Sequence, residues 1–364
     1  MTAEEINRIP FFFIVGIGRS GTTMLQSLLD ANEEVILPLE SSLIMYLKQK
    51  YFRTKNWSNK KIDELILDLH LDIKFKYLWK IDYEKLRNDL YKLPEKSRNF
   101  TLICRQIYLN YPSIFNKEKI KIIGDKNPKY SIFVKELLDI FPDAKFIHLV
   151  RDYRSNVASN KKTFNNNNVA LLAHKWEMYN RNIEKQKAKK PTAFYTLKYE
   201  DFVVDPEKYT KEICTFLNII FLPEMFNFYE KTSKYFEDTH ARFAIVHPHL
   251  TEPINDNNMD KWKKELSEKE QKVIDYIAGD YAAKYGYVKE YNEKNLKLFF
   301  LFLTSYKQNW VDVRVLKTYY KLPFFIRKNI SFFSKKIYDW FGYTTRYSMY
   351  DLNSNFSKFR EDAE

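Results

Sequence analysis

The sequence predicts an α/β fold: a three-layer arrangement with a central, mostly parallel sheet, a helical insertion and a helical C-terminal extension. Three observations carry this. The run "FFFIV", residues 11–15, is uninterruptedly apolar, as a strand covered on both faces must be. A glycine-containing loop, "GIGRSG", follows and passes into "TTMLQSLLDA", where Met24, Leu25, Leu28 and Leu29 recur at helical spacing. Further strand-like runs, "KIKIIGD" (119–125), "AKFIHLV" (144–150) and "TAFYTLKYEDF" (192–202), then alternate with helical stretches, which implies parallel strands joined by crossovers.

The remaining elements follow in order. Residues 41–115 are rich in Leu, Ile, Tyr, Lys and Trp and poor in glycine, so they read as helices inserted before the sheet resumes. "DYRSNVASN" opens a helix after the strand at 144–150, and "NNNN" at 165–168 is a polar loop. "DPEKYTKEICTFLNI" has an Asp-Pro helix start and places Ile213, Phe216 and Leu217 on one face. The chain divides into a main domain over 1–290 and a basic, aromatic extension over 291–364. Within the extension, residues 296–347 carry ten Lys or Arg, two Asp or Glu and sixteen aromatics. That pattern fits helices whose aromatics pack on the main domain, and it also fits peripheral contact with a membrane surface.

Composition sets the class of ligand. With 45% hydrophobic residues, 17% aromatics and only 7 glycines, the chain has the makeup of a packed globular protein. Its net charge of +13 suits an anionic ligand, nucleic acid or an anionic membrane. The basic run "KQKAKK" at 185–190 reads as a solvated helix end before Pro191, so no nucleic-acid partner is expected. Cys104 and Cys214 match no metal spacing, and "HPH" at 247–249 with His240 lacks regular ligand spacing, so no metal is expected. His148, inside an apolar strand, reads as a satisfied core histidine. The apolar runs fall short of the roughly 20 residues needed to span a bilayer, and a cytoplasmic location is expected, with 296–347 as the candidate membrane contact.

The loop after the first strand carries the sharpest chemical signal. Gly16 and Gly21 keep the spacing of a nucleotide-phosphate loop, but Thr22 stands where such a loop has its lysine, and Arg19 is its only side-chain cation. Backbone N–H groups of 18–23 at a helix start, with Arg19 and the Thr22 and Thr23 hydroxyls, suit a tetrahedral phosphate or sulfate held without metal. The alternative is a plain glycine turn. Arg151 ends the strand at 144–150, and Ser159 follows on the next helix, a place where open parallel sheets bind ligands. There the alternative is a surface ion pair between Arg151 and Asp152.

Together these stretches resemble the sulfotransferases that use 3′-phosphoadenosine 5′-phosphosulfate (PAPS), nearest in pattern to the tyrosylprotein and related Golgi-type branch. "RSGTT" at 19–23 matches the family's 5′-phosphosulfate loop, with Gly18, Arg19, Ser20, Gly21, Thr22 and Thr23 as binding positions. "RDYRSNVAS" at 151–159 matches its 3′-phosphate motif through Arg151 and Ser159. Glu40 in "LPLESS" falls at that branch's interval for a catalytic glutamate. Lys126 in "GDKNP" falls on the Lys-x-Pro element that approaches the sulfuryl group. Tyr199 and the pair Lys261 and Trp262 match further elements of the nucleotide pocket. The resemblance spans about 11–290 and implies transfer of a sulfuryl group from PAPS to an acceptor hydroxyl, with Glu40 as general base and Arg19 and Lys126 stabilising charge. The sequence departs from that branch in its signal, membrane anchor and paired cysteines, so a luminal location and a protein-tyrosine acceptor are not expected. The aromatic insertion and extension point to a lipophilic alcohol such as a sterol or lipid, with carbohydrate or tyrosyl acceptors as alternatives. A P-loop kinase and a non-catalytic basic module on this fold are the rival readings.

Overall fold

The computed structural model describes residues 1–70, 75–239 and 250–327. Five parallel strands form the sheet: β1 (Phe11–Val15), β2 (Val35–Ile36), β3 (Ile122–Lys126), β4 (Lys145–Val150) and β5 (Phe194–Lys198), in the order β2-β3-β1-β4-β5. Their alternation builds two cores. Phe11, Phe13 and Val15 point into the larger one, and Phe12 and Ile14 point to the opposite face, against α2 (Thr22–Asp30). Every residue of β1 is buried on one face or the other, as its unbroken apolar run required.

Because β1 lies between β3 and β4, with Ile14 beside Lys126 and Val15 beside His148, the carboxyl ends of the central strands align. The loop after β1 therefore opens where the connections of the sheet diverge, the usual ligand position in such sheets. The strand expected over 192–202 is shorter than its sequence suggests. β4 ends at Val150, opposite Lys198, so the ladder has no partner beyond that point, and the chain turns into the helix Tyr199–Val204. Between β2 and β3 stand the inserted helices α3 (Leu43–Tyr51), α4 (Asn59–His70), α5 (Tyr83–Lys92) and α6 (Phe100–Leu109). Asp82 and Asn99 accept backbone N–H bonds at the starts of the last two, as cap residues do.

Beyond β3 come α7 (Val134–Ile140), α8 (Tyr153–Phe164) and the long α9 (Val169–Lys187). His148 is a fully buried core residue, as expected, with its Nε2 2.8 Å from Asn180 Oδ1; its Nδ1 has no hydrogen bond among the described residues but lies 3.5 Å from Glu184 Oε1, so it is satisfied on one side only. The basic run at 185–190 closes α9.

The C-terminal helix, Leu296–Lys321, begins where the Asn295 side chain accepts the Leu298 N–H at 2.9 Å. It lies along α9: Ser305 Oγ is 2.7 Å from His174 Nδ1, and Asn309 donates to the Leu171 carbonyl at 2.9 Å. Tyr320 meets Phe133 edge-on, and Arg327 donates to the Tyr46 carbonyl of α3 at 2.7 Å. One face of this helix thus packs on the main core. Residues 328–347 of the same aromatic stretch, and His240 and 247–249, lie outside the described residues.

Candidate active site

Arg19 adopts φ 71°, in the left-handed region uncommon for a side-chain-bearing residue, and Gly21 adopts φ 90°. A Cβ on Gly21 would come within 2.7 Å of the Tyr199 ring, so glycine is required there twice over. Helix α8 braces the loop from outside. Asn156 Nδ2 donates to the Gly18 carbonyl at 2.9 Å and to Ser20 Oγ at 3.1 Å, and Asn160 Nδ2 reaches the same carbonyl at 3.3 Å. Ser20 is fully buried and Gly18 faces this brace, so in these two the side chain and carbonyl shape the loop. The loop leads through Gly21 into the N-terminus of α2, a position whose backbone N–H groups suit an anion.

Arg151 is held by three contacts. Its Nη1 donates to the Arg19 carbonyl at 3.0 Å, its Nη2 donates to the Asn258 carbonyl at 2.8 Å, and its guanidinium lies 4.4 Å from the centre of the Tyr199 ring. Its buried Nε has no hydrogen-bond partner among the described residues. The alternative, a surface pair with Asp152, does not form among the described residues; Asp152 binds Arg154 at 2.8 Å instead, and Arg154 stacks over Trp262 at 4.0 Å. Ser159 Oγ accepts from Arg19 Nε at 3.2 Å. The sequence assigned these two residues to different phosphates, and here they meet.

These groups line one cleft of about 420 Å³. Arg19, Arg151, Lys162 and Lys261 supply four cations to its wall, against Glu265 as the carboxylate among the lining residues. Of the other predicted binding residues, Gly21, Thr22, Thr23, Ser159, Tyr199 and Trp262 line it, whereas Gly18 and Ser20 do not. Lys162 and Asn258 were not foreseen, although Lys162 follows Ser159 by one helical turn.

Glu40 and Lys126 sit beside the cleft and are joined to it by Thr23. Lys126 Nζ, at the carboxyl end of β3 and almost fully buried, lies 3.1 Å from Glu40 Oε2 and donates to Thr23 Oγ1 at 3.2 Å. The bland alternative for Glu40, a salt-bridged carboxylate, is met in form, but its partner is the other candidate catalytic residue. Its side chain is 28% exposed, open enough to meet an acceptor.

Asp125, one residue before Lys126, points to the opposite face and is wholly buried. It accepts the Tyr108 hydroxyl at 2.5 Å. Burial pushes its carboxyl up to about 7, with the Tyr108 and Tyr130 hydroxyls and Lys126 opposing the shift and Glu40 adding to it. A carboxyl whose folded pKa is raised binds its proton more tightly when folded than when unfolded, where it titrates near ~3.9. The protein therefore loses stability from this group as pH rises from about 4 to about 7. Asp125→Asn should abolish that loss, so its advantage in unfolding free energy should grow by about 2 to 3 kcal/mol between about pH 5 and about pH 8. Denaturant melts at the two values check this; an equal difference at both would show that Asp125 does not titrate there.

A phosphate-type loop, a paired carboxylate and lysine, and a cationic cleft at the carboxyl edge of a parallel sheet are compatible with a group-transfer enzyme. The chain belongs to the sulfotransferase family, whose model matches residues 10–223. It is 25% identical over 312 residues to the omega-hydroxy-beta-dihydromenaquinone-9 sulfotransferase of Mycobacterium tuberculosis, covering 71% of this chain and 78% of that protein. It is 24% identical to protein-tyrosine sulfotransferase 1 of Danio rerio, covering 79% of this chain and 75% of that one. Among solved structures, the sulfotransferase domain of the curacin biosynthetic pathway shares the fold at a TM-score of 0.51 and 22% identity, covering 77% of this chain and 99% of that domain. The protein is thus a transferase of sulfuryl groups.

Proposed function

We propose that this enzyme moves the sulfuryl group of PAPS onto the hydroxyl of a lipophilic alcohol. The observation that carries the donor assignment is the convergence of Arg19, Arg151 and Ser159 on one cleft rich in cations, next to a loop with threonine in place of the phosphate-loop lysine. One anion position at Arg19 and another at Arg151 with Ser159 would suit a nucleotide with both 3′ and 5′ groups. Tyr199 and Trp262 supply flat apolar surface at the same wall. In the reaction, the acceptor oxygen bonds to sulfur as the bond from sulfur to the 5′-phosphate oxygen breaks. Glu40 takes the acceptor's proton, and 3′,5′-ADP leaves with Lys126 and Arg19 offsetting the charge that builds on the bridging and sulfuryl oxygens.

The acceptor class rests on two supports. The aromatic insertion stands directly after Glu40, and one relative is named for an omega-hydroxy-beta-dihydromenaquinone, a hydroxyl on a lipophilic molecule. The tyrosine sulfotransferase relative keeps a phenolic acceptor as the second reading. Incubation with PAPS and a panel of sterols, polyprenyl alcohols, tyrosyl peptides and sugars separates these, and sulfation of sugars alone would overturn the lipophilic reading.

The donor site has its own test. The protein should bind 3′,5′-ADP without magnesium and bind ATP poorly. Arg151→Ala should weaken 3′,5′-ADP by about 2 kcal/mol, the scale for a lost charged hydrogen-bond partner, and change 5′-AMP little. Calorimetric titration gives both constants, and equal losses would remove Arg151 from the 3′-phosphate position.

A further inference from the structure

We propose that the outward face of the C-terminal helix docks this protein on an anionic membrane surface. The helix Leu296–Lys321 has two distinct sides. At 3.6 residues per turn, Leu298, Ser305, Asn309 and Tyr320 fall on the side turned to the core, and all four are buried. On the opposite side Leu296, Phe299, Phe300, Leu303, Tyr306 and Trp310 form a continuous exposed stripe about four turns long. Phe300 is 62% exposed and Trp310 is 48% exposed, and a stripe of this size on a soluble surface marks an interaction site.

Charge identifies the occupant. Lys297, Lys307, Arg314 and Lys321 are exposed along the same helix, and Arg314 lies 4.5 Å from the centre of the Trp310 ring. The helix holds one acidic residue, Asp312, which is part-buried. Aromatic and aliphatic side chains flanked by lysine and arginine are what the boundary between acyl chains and anionic headgroups accepts. A second copy of this helix laid against the first would set these cations against each other. The chain after the described residues, 328–364, carries six basic and five acidic side chains, so it brings no net negative charge to this face either. No helix among the described residues is long and apolar enough to cross a membrane, so the helix lies along the surface.

Docking is independent of the transfer chemistry, and its test uses no PAPS. The full chain is sedimented with vesicles of phosphatidylcholine alone and with vesicles that contain about one third phosphatidylglycerol. It should bind the anionic vesicles at low salt and leave them near 1 M, where the Debye length falls to about 3 Å. Phe300→Ser combined with Trp310→Ser should lower partitioning about tenfold or more with an unchanged melting temperature, because both side chains are exposed. Lys297→Gln with Lys307→Gln should weaken binding to the anionic vesicles only. The proposal is overturned if the full chain stays in the supernatant with both vesicles. It is equally overturned if the double aromatic variant binds as the parent does, which would assign the contact to another segment. A dimer that the aromatic pair of substitutions splits, with no vesicle binding, would show that a second copy covers the face.

Discussion

Replacing Glu40 by glutamine should lower turnover roughly 10²-fold or more, with affinity for 3′,5′-ADP nearly unchanged. Glutamine keeps the shape of the side chain and can still accept a hydrogen bond from Lys126 Nζ, now 3.1 Å from Oε2. What it removes is the ability to take a proton. An acceptor hydroxyl is a poor nucleophile until its proton has somewhere to go, and an aliphatic alcohol needs this help more than a phenol. The loss should therefore be larger with an aliphatic acceptor than with a phenolic one. Steady-state rates with both acceptors, and the nucleotide constant measured separately, check the expectation. Turnover near that of the parent with an aliphatic alcohol would move the base elsewhere. The next candidate for the base would then be His247 of the "HPH" stretch, which lies outside the described residues.

What the sequence made legible was whatever local pattern encodes. β1 is uniformly apolar because both its faces are covered, and the glycines of the loop mark backbone that must turn sharply, so strand, loop and α2 could be read in one pass. The short β2 could not, since two residues carry no period. The helical turn from Tyr199 was read as strand because "FYTLKY" suits either, and only the end of β4 decides where the ladder stops. The bracing of the loop by Asn156 and Asn160 was also hidden: both side chains reach backbone about 140 residues earlier, and no spacing rule connects them. Asp125 looked like the polar end of a strand. Its raised pKa depends on burial beside Tyr108 and Tyr130, which come from two other elements.

Lys126→Met should cost turnover about 10²-fold to 10³-fold, the scale for removing a group that meets charge developing in the transition state. The substitution keeps much of the stem volume in a site where the lysine is almost fully buried, and it takes away only the ammonium group. That group stands between Glu40 Oε2 at 3.1 Å and Thr23 Oγ1 at 3.2 Å, so it joins the candidate base to the loop expected to hold the donor. If Lys126 acts on the transferring group, kcat should fall while the dissociation constant of 3′,5′-ADP changes little. A comparable fall in nucleotide affinity would make Lys126 a ground-state binder and leave charge stabilisation to Arg19. The double variant, Glu40→Gln with Lys126→Met, decides whether the pair works as one unit. Residues in contact do not add independently, and its loss should fall well short of the product of the single losses. Full additivity would mean that the 3.1 Å contact couples nothing in the transfer step, and that Glu40 and Lys126 act on separate parts of it.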